Sequence, residues 1–216
     1  MTSVLTEREF AAVLFDNDGT LTDSTEAVNR SWSMWARELG LDPARLRGYH
    51  GVPAAAIVNE LVPPEGRAKA LSRIEEIEQA DTDGVIALPG ALSALQAVGS
   101  LGAIVTSATQ PLASARLAAA GLPTPGVMVT ADDITHGKPD PQPFLRGAEA
   151  MGVSPSQCLV VEDAPSGVAA ARAAGCAVLA VVSTTAEEDL DADLIVPDLS
   201  HVGFTVMGDR IRVSVR

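Results

Sequence analysis

The chain is poor in several things a specialised protein needs. Only two of its 216 residues are cysteines, Cys158 and Cys176, and they form no C-x-x-C pair. That excludes a zinc framework and a disulfide scaffold, and points to a reducing compartment with both thiols buried. No stretch reaches the ~18 consecutive apolar residues of a membrane span. The first ten residues, MTSVLTEREF, carry early acids and no long apolar run, so they do not read as a secretory signal. A cytoplasmic location is the expectation. Positive charge is also scarce: 15 Lys and Arg stand against 28 Asp and Glu, a net charge of −13. Nucleic acid is therefore not expected as a partner, since phosphate backbones need a cationic footprint. A small phosphorylated molecule is not excluded, because a few local cations or one metal ion can hold it.

What remains is ordinary globular material, 47% apolar and 20% charged. The length suits one domain or one with a modest insertion, enough to bury a core without staples. Short apolar runs lie at residues 11–15, 103–105, 127–129, 158–161, 177–182 and 194–196. Each is too short for a helix and rich in Val, Ile and Leu, as strands buried on both faces are. Helical patterns at 91–98, 111–120, 142–151 and 166–174 alternate with them, which predicts an α/β fold with a doubly wound, Rossmann-like parallel sheet.

One interval breaks the alternation. No strand-like run appears between Phe15 and Ala103. Val28, Trp32, Trp35 and Leu39 share one helical face, and Gly40 stops it. Further helices are expected at 43–49, 53–61 and 65–80, with Pro63-Pro64 as a break. The division expected is a core of residues 1–22 and 85–216, with an inserted helical domain at 23–84 joined by hinges at 20–24 and 84–90. The tail 203–214 alternates around a Gly-Asp turn and reads as a hairpin.

Four local signals could carry chemistry. Asp16-Asn17-Asp18-Gly19-Thr20 directly follows the first strand, placing two carboxylates where open α/β sheets bind ligands. A surface turn is the alternative. A calcium loop fails, because with Gly19 as its glycine the first ligand position would be Leu14. Lys138, between Gly137 and Pro139, is held in a stiff loop and suits a fixed positive charge near phosphate; an exposed turn lysine is the plainer alternative. Glu162-Asp163 closes another buried strand, where carboxylates are costly unless paired or metal-bound. With Asp16 they form a hard oxygen set suited to Mg²⁺, although helix capping by Asp163 or Ser166 is compatible. Ser107 ends the 103–105 strand and offers a hydroxyl beside a helix start, the place of an ordinary cap as well.

In this order the four signals resemble the haloacid dehalogenase superfamily of phosphatases. The likeness covers nearly the whole chain: Asp16-x-Asp18-Gly19-Thr20, Ser107, Lys138, then Glu162-Asp163. The inserted helices resemble that family's small helical cap. The run VEDAPSGVAAARAAG at 161–175, with Thr130-Ala131, Gly137-Lys138-Pro139 and His50-Gly51, is similar to the branch of sugar-phosphate, 2-deoxyglucose-6-phosphate and glycerol-phosphate phosphatases.

The resemblance implies an enzyme that hydrolyses small phosphorylated metabolites, with Asp16 as nucleophile through an aspartyl-phosphate and Asp18 as general acid and base. It implies Ser107 and Lys138 on the phosphoryl oxygens, Mg²⁺ on Asp16, the Asp18 carbonyl and Asp163, and Glu162 supporting the metal. Substrate contacts are expected from Asn17, Ala108 and the segment residues His50 and Gly51, with Trp32 or Trp35 as walls if they are not simply packing. The rival is a β-phosphoglucomutase-like phosphomutase. That branch carries Lys at His50, Arg at Ala54 and Asn at Pro111, and an Ala cannot grip a second phosphate. The acidic run 75–83 is expected to be a solvated face. His136 and His201 are not expected in the site, and a monomer is the expected state.

Overall fold

The computed structural model describes residues 4–46 and 52–216. A six-stranded parallel sheet forms its centre, in the order β6 (Met128–Val129), β5 (Gly102–Val105), β2 (Ala12–Phe15), β7 (Cys158–Glu162), β8 (Ala177–Val181), β9 (Leu194–Val196). All six expected runs are strands. Every residue of β2, β5, β7 and β8 is buried, the physical meaning of runs apolar at both parities. On one face Ala12, Leu14, Val105 and Val160 pack under α6 (Gln142–Ala150) and α7 (Pro165–Ala173), with Phe144 and Val168 inserted. On the other, Val13, Phe15, Ile104 and Leu179 meet α4 (Ala91–Val98) and α5 (Gln110–Ala119) through Leu95 and Leu117.

The expected tail hairpin is β10 (Val202–Met207) with β11 (Arg210–Val215), turning at Gly208-Asp209. It is extended by β1 (Glu9–Phe10), which the two-residue length hid from the sequence pattern. Between Phe15 and Ala103 the sequence shows no strand, and here the structure corrects it. β3 (Thr22–Asp23) and β4 (Ile86–Ala87) pair antiparallel, Thr22 opposite Ala87 and Asp23 opposite Ile86. Two residues cannot display a period, so only tertiary pairing reveals them. This short ribbon joins the outgoing and returning chains of the helical segment.

Within that segment, α1 (Thr25–Glu38), α2 (Ala54–Leu61) and α3 (Arg67–Ala80) surround their own apolar cluster of Trp32, Trp35, Ile57, Val58 and Ile74. Trp35 is fully buried and donates its indole N–H to the Ala70 carbonyl at 2.7 Å. The helix expected at 43–49 is a 3₁₀ turn over Pro43–Leu46 in its described part. Gly40 ends α1 at φ +68°.

The order of the central strands fixes where a site can form. The chain runs from β2 to β5 and β6 on one side, then crosses to β7 on the other. β2 is thus the switch point, where flanking loops diverge and open a crevice at the carboxyl ends of the strands.

Candidate active site

Asp16 follows β2 at that crevice, and its N–H donates to the Val161 carbonyl at 2.9 Å. The next turn is closed by the Asn17 carbonyl, which accepts from the N–H groups of Thr20, Leu21 and Thr22. Gly19 has φ +88°, and a Cβ there would overlap the Asp163 carboxylate, so both the backbone and the space require glycine.

Lys138 arrives from the loop after β6, two strands away. Its ammonium crosses the end of β5, 3.3 Å from the Val105 carbonyl. It then donates to Asp16 Oδ1 at 2.5 Å and to Glu162 Oε1 at 2.7 Å. Glu162 Oε2 accepts from the N–H groups of Asp163 and Ala164 at 2.9 and 3.0 Å, so this one carboxylate holds both the lysine and the start of α7. Asp163 accepts from Thr20 Oγ1 at 3.2 Å and from the Thr184 hydroxyl, while Ser183 donates to the Gly19 carbonyl.

Burial governs the electrostatics. It pushes the Asp16 carboxyl well above the usual range, against the pull of Lys138 and with the push of Glu162 and Asp163. Burial, then Glu162, raises Asp163 to about 7. Burial alone would lower Lys138, but the Asp16 and Glu162 carboxylates outweigh it and hold it above its ordinary value. Asp16, Glu162 and Asp163 present oxygens that all lie within 4.8 Å of one another. Three buried carboxylates against one ammonium leave an excess of negative charge, and the donors are all oxygen. This set fits a hard divalent cation.

Above it lies a cavity of about 470 Å³ between the helical segment and the sheet edge. Asp16, Asp18, Ser107, Ala108, Lys138, Glu162 and Asp163 all line it, so the structure gathers seven of the residues singled out in the sequence. Asn17 does not line it; its side chain is buried beneath the turn. His50 and Gly51 lie outside the described residues. Trp32 forms part of the wall, whereas Trp35 stays in the helical core, with the two rings edge to face at 5.2 Å. His136 is exposed, and His201 pairs with Asp198.

The acidic run corrects an expectation. Glu78 is not on a solvated face but only 6% exposed, and it is paired with Arg116. Arg116 was not singled out in the sequence, yet it also meets Asp18. A signal was present: Leu112, Ala113, Arg116 and Leu117 share the buried stripe of α5, so a cation stands among apolar positions. Thr184 and Ser183 had none, being ordinary loop residues.

An acid, a lysine and an acid pair at the switch point of a parallel sheet define a site for phosphoryl transfer or related hydrolytic chemistry. The comparisons with known proteins agree. Residues 10–175 match the haloacid dehalogenase-like hydrolase family, and the chain belongs to it. It is 42% identical to hexitol phosphatase A of Escherichia coli over 200 residues, covering 89% of this chain and 93% of that one. It is 31% identical to validoxylamine A 7′-phosphate phosphatase of Streptomyces hygroscopicus, covering 92% and 99%. Among solved structures, a hydrolase from Pseudomonas syringae superposes with a TM-score of 0.79 at 27% identity, over 88% of this chain and 94% of that one. No helix of the described residues is long and apolar enough to cross a membrane.

Proposed function

We propose that the chain is a Mg²⁺-dependent phosphatase of small sugar or polyol phosphates, acting through an aspartyl-phosphate. The observation that carries this is the convergence of Asp16, Lys138, Glu162 and Asp163 beneath one cavity. Asp16 and Asp163, with the Asp18 carbonyl, would hold Mg²⁺. Bound there, the ion offsets the repulsion between carboxylate and phosphate. Glu162 acts mainly by fixing Lys138, since its two oxygens are already engaged.

In the first step an Asp16 carboxylate oxygen attacks phosphorus and the bond to the leaving oxygen breaks. Asp18 gives that oxygen a proton. In the second, Asp18 takes a proton from water, the water oxygen attacks phosphorus, and the bond to Asp16 breaks to release inorganic phosphate. Lys138 and the Ser107 hydroxyl bind the phosphoryl oxygens. The helical segment 23–84 serves as a cap that shields this chemistry from water.

The leaving group would occupy the cavity. The cavity lining mixes polar side chains, among them Asn29, Ser33, Thr109 and Ser166, with apolar ones, which suits a hydroxyl-rich group. The likeness to a hexitol phosphatase supports the same class. Hydrolysis is favoured over phosphomutation because the lining cations among the described residues are Lys138 and Arg116, both already ion-paired. Ala54 stands at the mouth of α2 with no charge to offer a second phosphate.

The test is a phosphate-release screen over hexitol, deoxyhexose, hexose and glycerol phosphates with Mg²⁺, ranked by kcat/KM. Free phosphate from sugar or polyol phosphates is expected. Isomerisation of a hexose 1-phosphate without phosphate release would transfer the chain to the mutases, and silence across the panel would discard the reading.

A further inference from the structure

Three side chains distant in sequence meet at the edge of the cavity. Arg116, on core helix α5, places Nη1 at 3.0 Å from Asp18 Oδ1. Its Nη2 donates to Glu78 Oε1 at 3.0 Å, and Glu78 stands on α3 of the helical segment. The Asp18 oxygen is held from a second side by the Ser24 hydroxyl at 2.7 Å. Arg116 is 4% exposed and Glu78 6%, so neither pair is a loose surface contact.

We propose that Arg116 is a positioning residue for Asp18, and that Glu78 holds Arg116 in the geometry that does so. The proposal rests on the reading of Asp18 as proton donor. A buried ion triad is weak evidence of a role in stability, because apolar groups of similar volume replace such triads at little or no cost. What it does supply is direction. A guanidinium is a rigid planar fork whose two prongs cannot turn independently. With one prong on Glu78, the other is fixed, and with it Oδ1 of Asp18. Ser24 removes the remaining rotation of the carboxylate. Both contacts fall on Oδ1, and proton transfer is assigned to Oδ2. Lysine, a flexible point charge, could contact two carboxylates but would not fix the direction of one from the position of the other. Because Glu78 comes from α3 and Arg116 from α5, the aim of the proton donor depends on how the helical segment is seated on the sheet.

The consequence is a dependence on leaving group. An alkoxide departs only with a proton, whereas a nitrophenolate departs without one. A residue that aims the donor therefore matters for alkyl phosphates and not for aryl ones, while a residue that merely supports the fold affects both alike. The readout is kcat/KM, which reports the first step, for sorbitol 6-phosphate and for 4-nitrophenyl phosphate.

Asp18→Asn should cut the alkyl value by ~10² or more while changing the aryl value far less. Arg116→Met should shift the alkyl-to-aryl ratio in the same direction by ~10-fold or more, and Glu78→Ala by less. Glu78→Gln, which keeps an acceptor for Arg116, should be milder than Glu78→Ala. Arg116→Met leaves Glu78 buried and unpaired, so the double variant Arg116→Met with Glu78→Met guards against loss of the fold and should show the same ratio shift. If Asp18→Asn shifts the ratio and both Arg116 variants leave it at the wild-type value, or lower both substrates equally, the proposal is overturned and the role of Asp18 stands. If Asp18→Asn itself leaves the ratio unchanged, the assignment of Asp18 fails, and the premise of the proposal with it.

Discussion

The Lys138 ammonium lies 2.5 Å from Asp16 Oδ1, across 122 positions of sequence. This pair offsets one carboxylate charge of the three at the bottom of the site and orients the attacking group. Lys138→Met would leave Asp16 and Glu162 buried without their cation. A loss of about 3–5 kcal/mol is expected in denaturant melts of the metal-free protein, with phosphatase activity lost as well. Unchanged stability would mean that the three groups do not form the buried cluster described.

Asp16→Asn removes the attacking oxygen while preserving shape. Phosphate release should fall by about 10⁴ or more, with the circular dichroism spectrum intact. Full activity in this variant would discard the nucleophile assignment.

Asp163 gives the site a pH dependence. Its carboxyl sits at about 7 in the folded chain, through burial and the nearby Glu162. The folded protein therefore keeps a proton, from the ordinary carboxylate range up to about 7, that the unfolded chain has released. With fewer protons bound in the unfolded state, stability without metal falls as pH rises through this window and is level above it. Metal binding needs the carboxylate, so the stabilisation by Mg²⁺ should grow with pH over the same window. At ~100 times the dissociation constant it amounts to about 2.7 kcal/mol. Melts with and without Mg²⁺ on either side of the window check both trends, and Asp163→Asn should weaken them, leaving the part that Asp16, also held above its usual range, contributes. A Mg²⁺ shift independent of pH would contradict the assignment.

Gly167, in the first turn of α7, is not among the residues that line the cavity. A Cβ there would overlap the Glu162 carboxylate, which has backbone N–H groups on one oxygen and Lys138 on the other. Gly167→Ala should therefore displace Glu162 and lower kcat by ~10-fold or more, since misplacement of reacting groups by an ångström is that costly. Wild-type kcat in this variant would show that the carboxylate can shift freely.

The two tryptophans should separate. Trp35→Ala opens a hole in the helical core and breaks its bond to Ala70, an expected loss of about 3–5 kcal/mol. Trp32→Ala strips the cavity wall and should act chiefly on KM and on the ranking of substrates. Equal effects of both on stability, with no change in substrate ranking, would count against Trp32 as a wall.

Much of this protein was legible in one dimension. The central strands appear as Val- and Leu-rich runs because burial on both faces leaves no polar position to break them. Asp16, Asp18, Ser107, Glu162 and Asp163 stand at or just after strand ends, and Lys138 in the longer loop after β6, where sequence order alone places loops. These are local facts, and local physical chemistry records them. Strand order is not local. That β2 lies between β5 and β7, and that the Lys138 loop reaches over β5 to Asp16, follows from packing among segments with no sequence relation. The same holds for Arg116 and Glu78, each a lone charge on the apolar stripe of its helix until the two helices meet. The sequence by itself determined which side chains could do chemistry, because burial and turn formation act over a few residues. Only the tertiary structure decided which of them touch, because a charge finds its partner through the arrangement of whole layers.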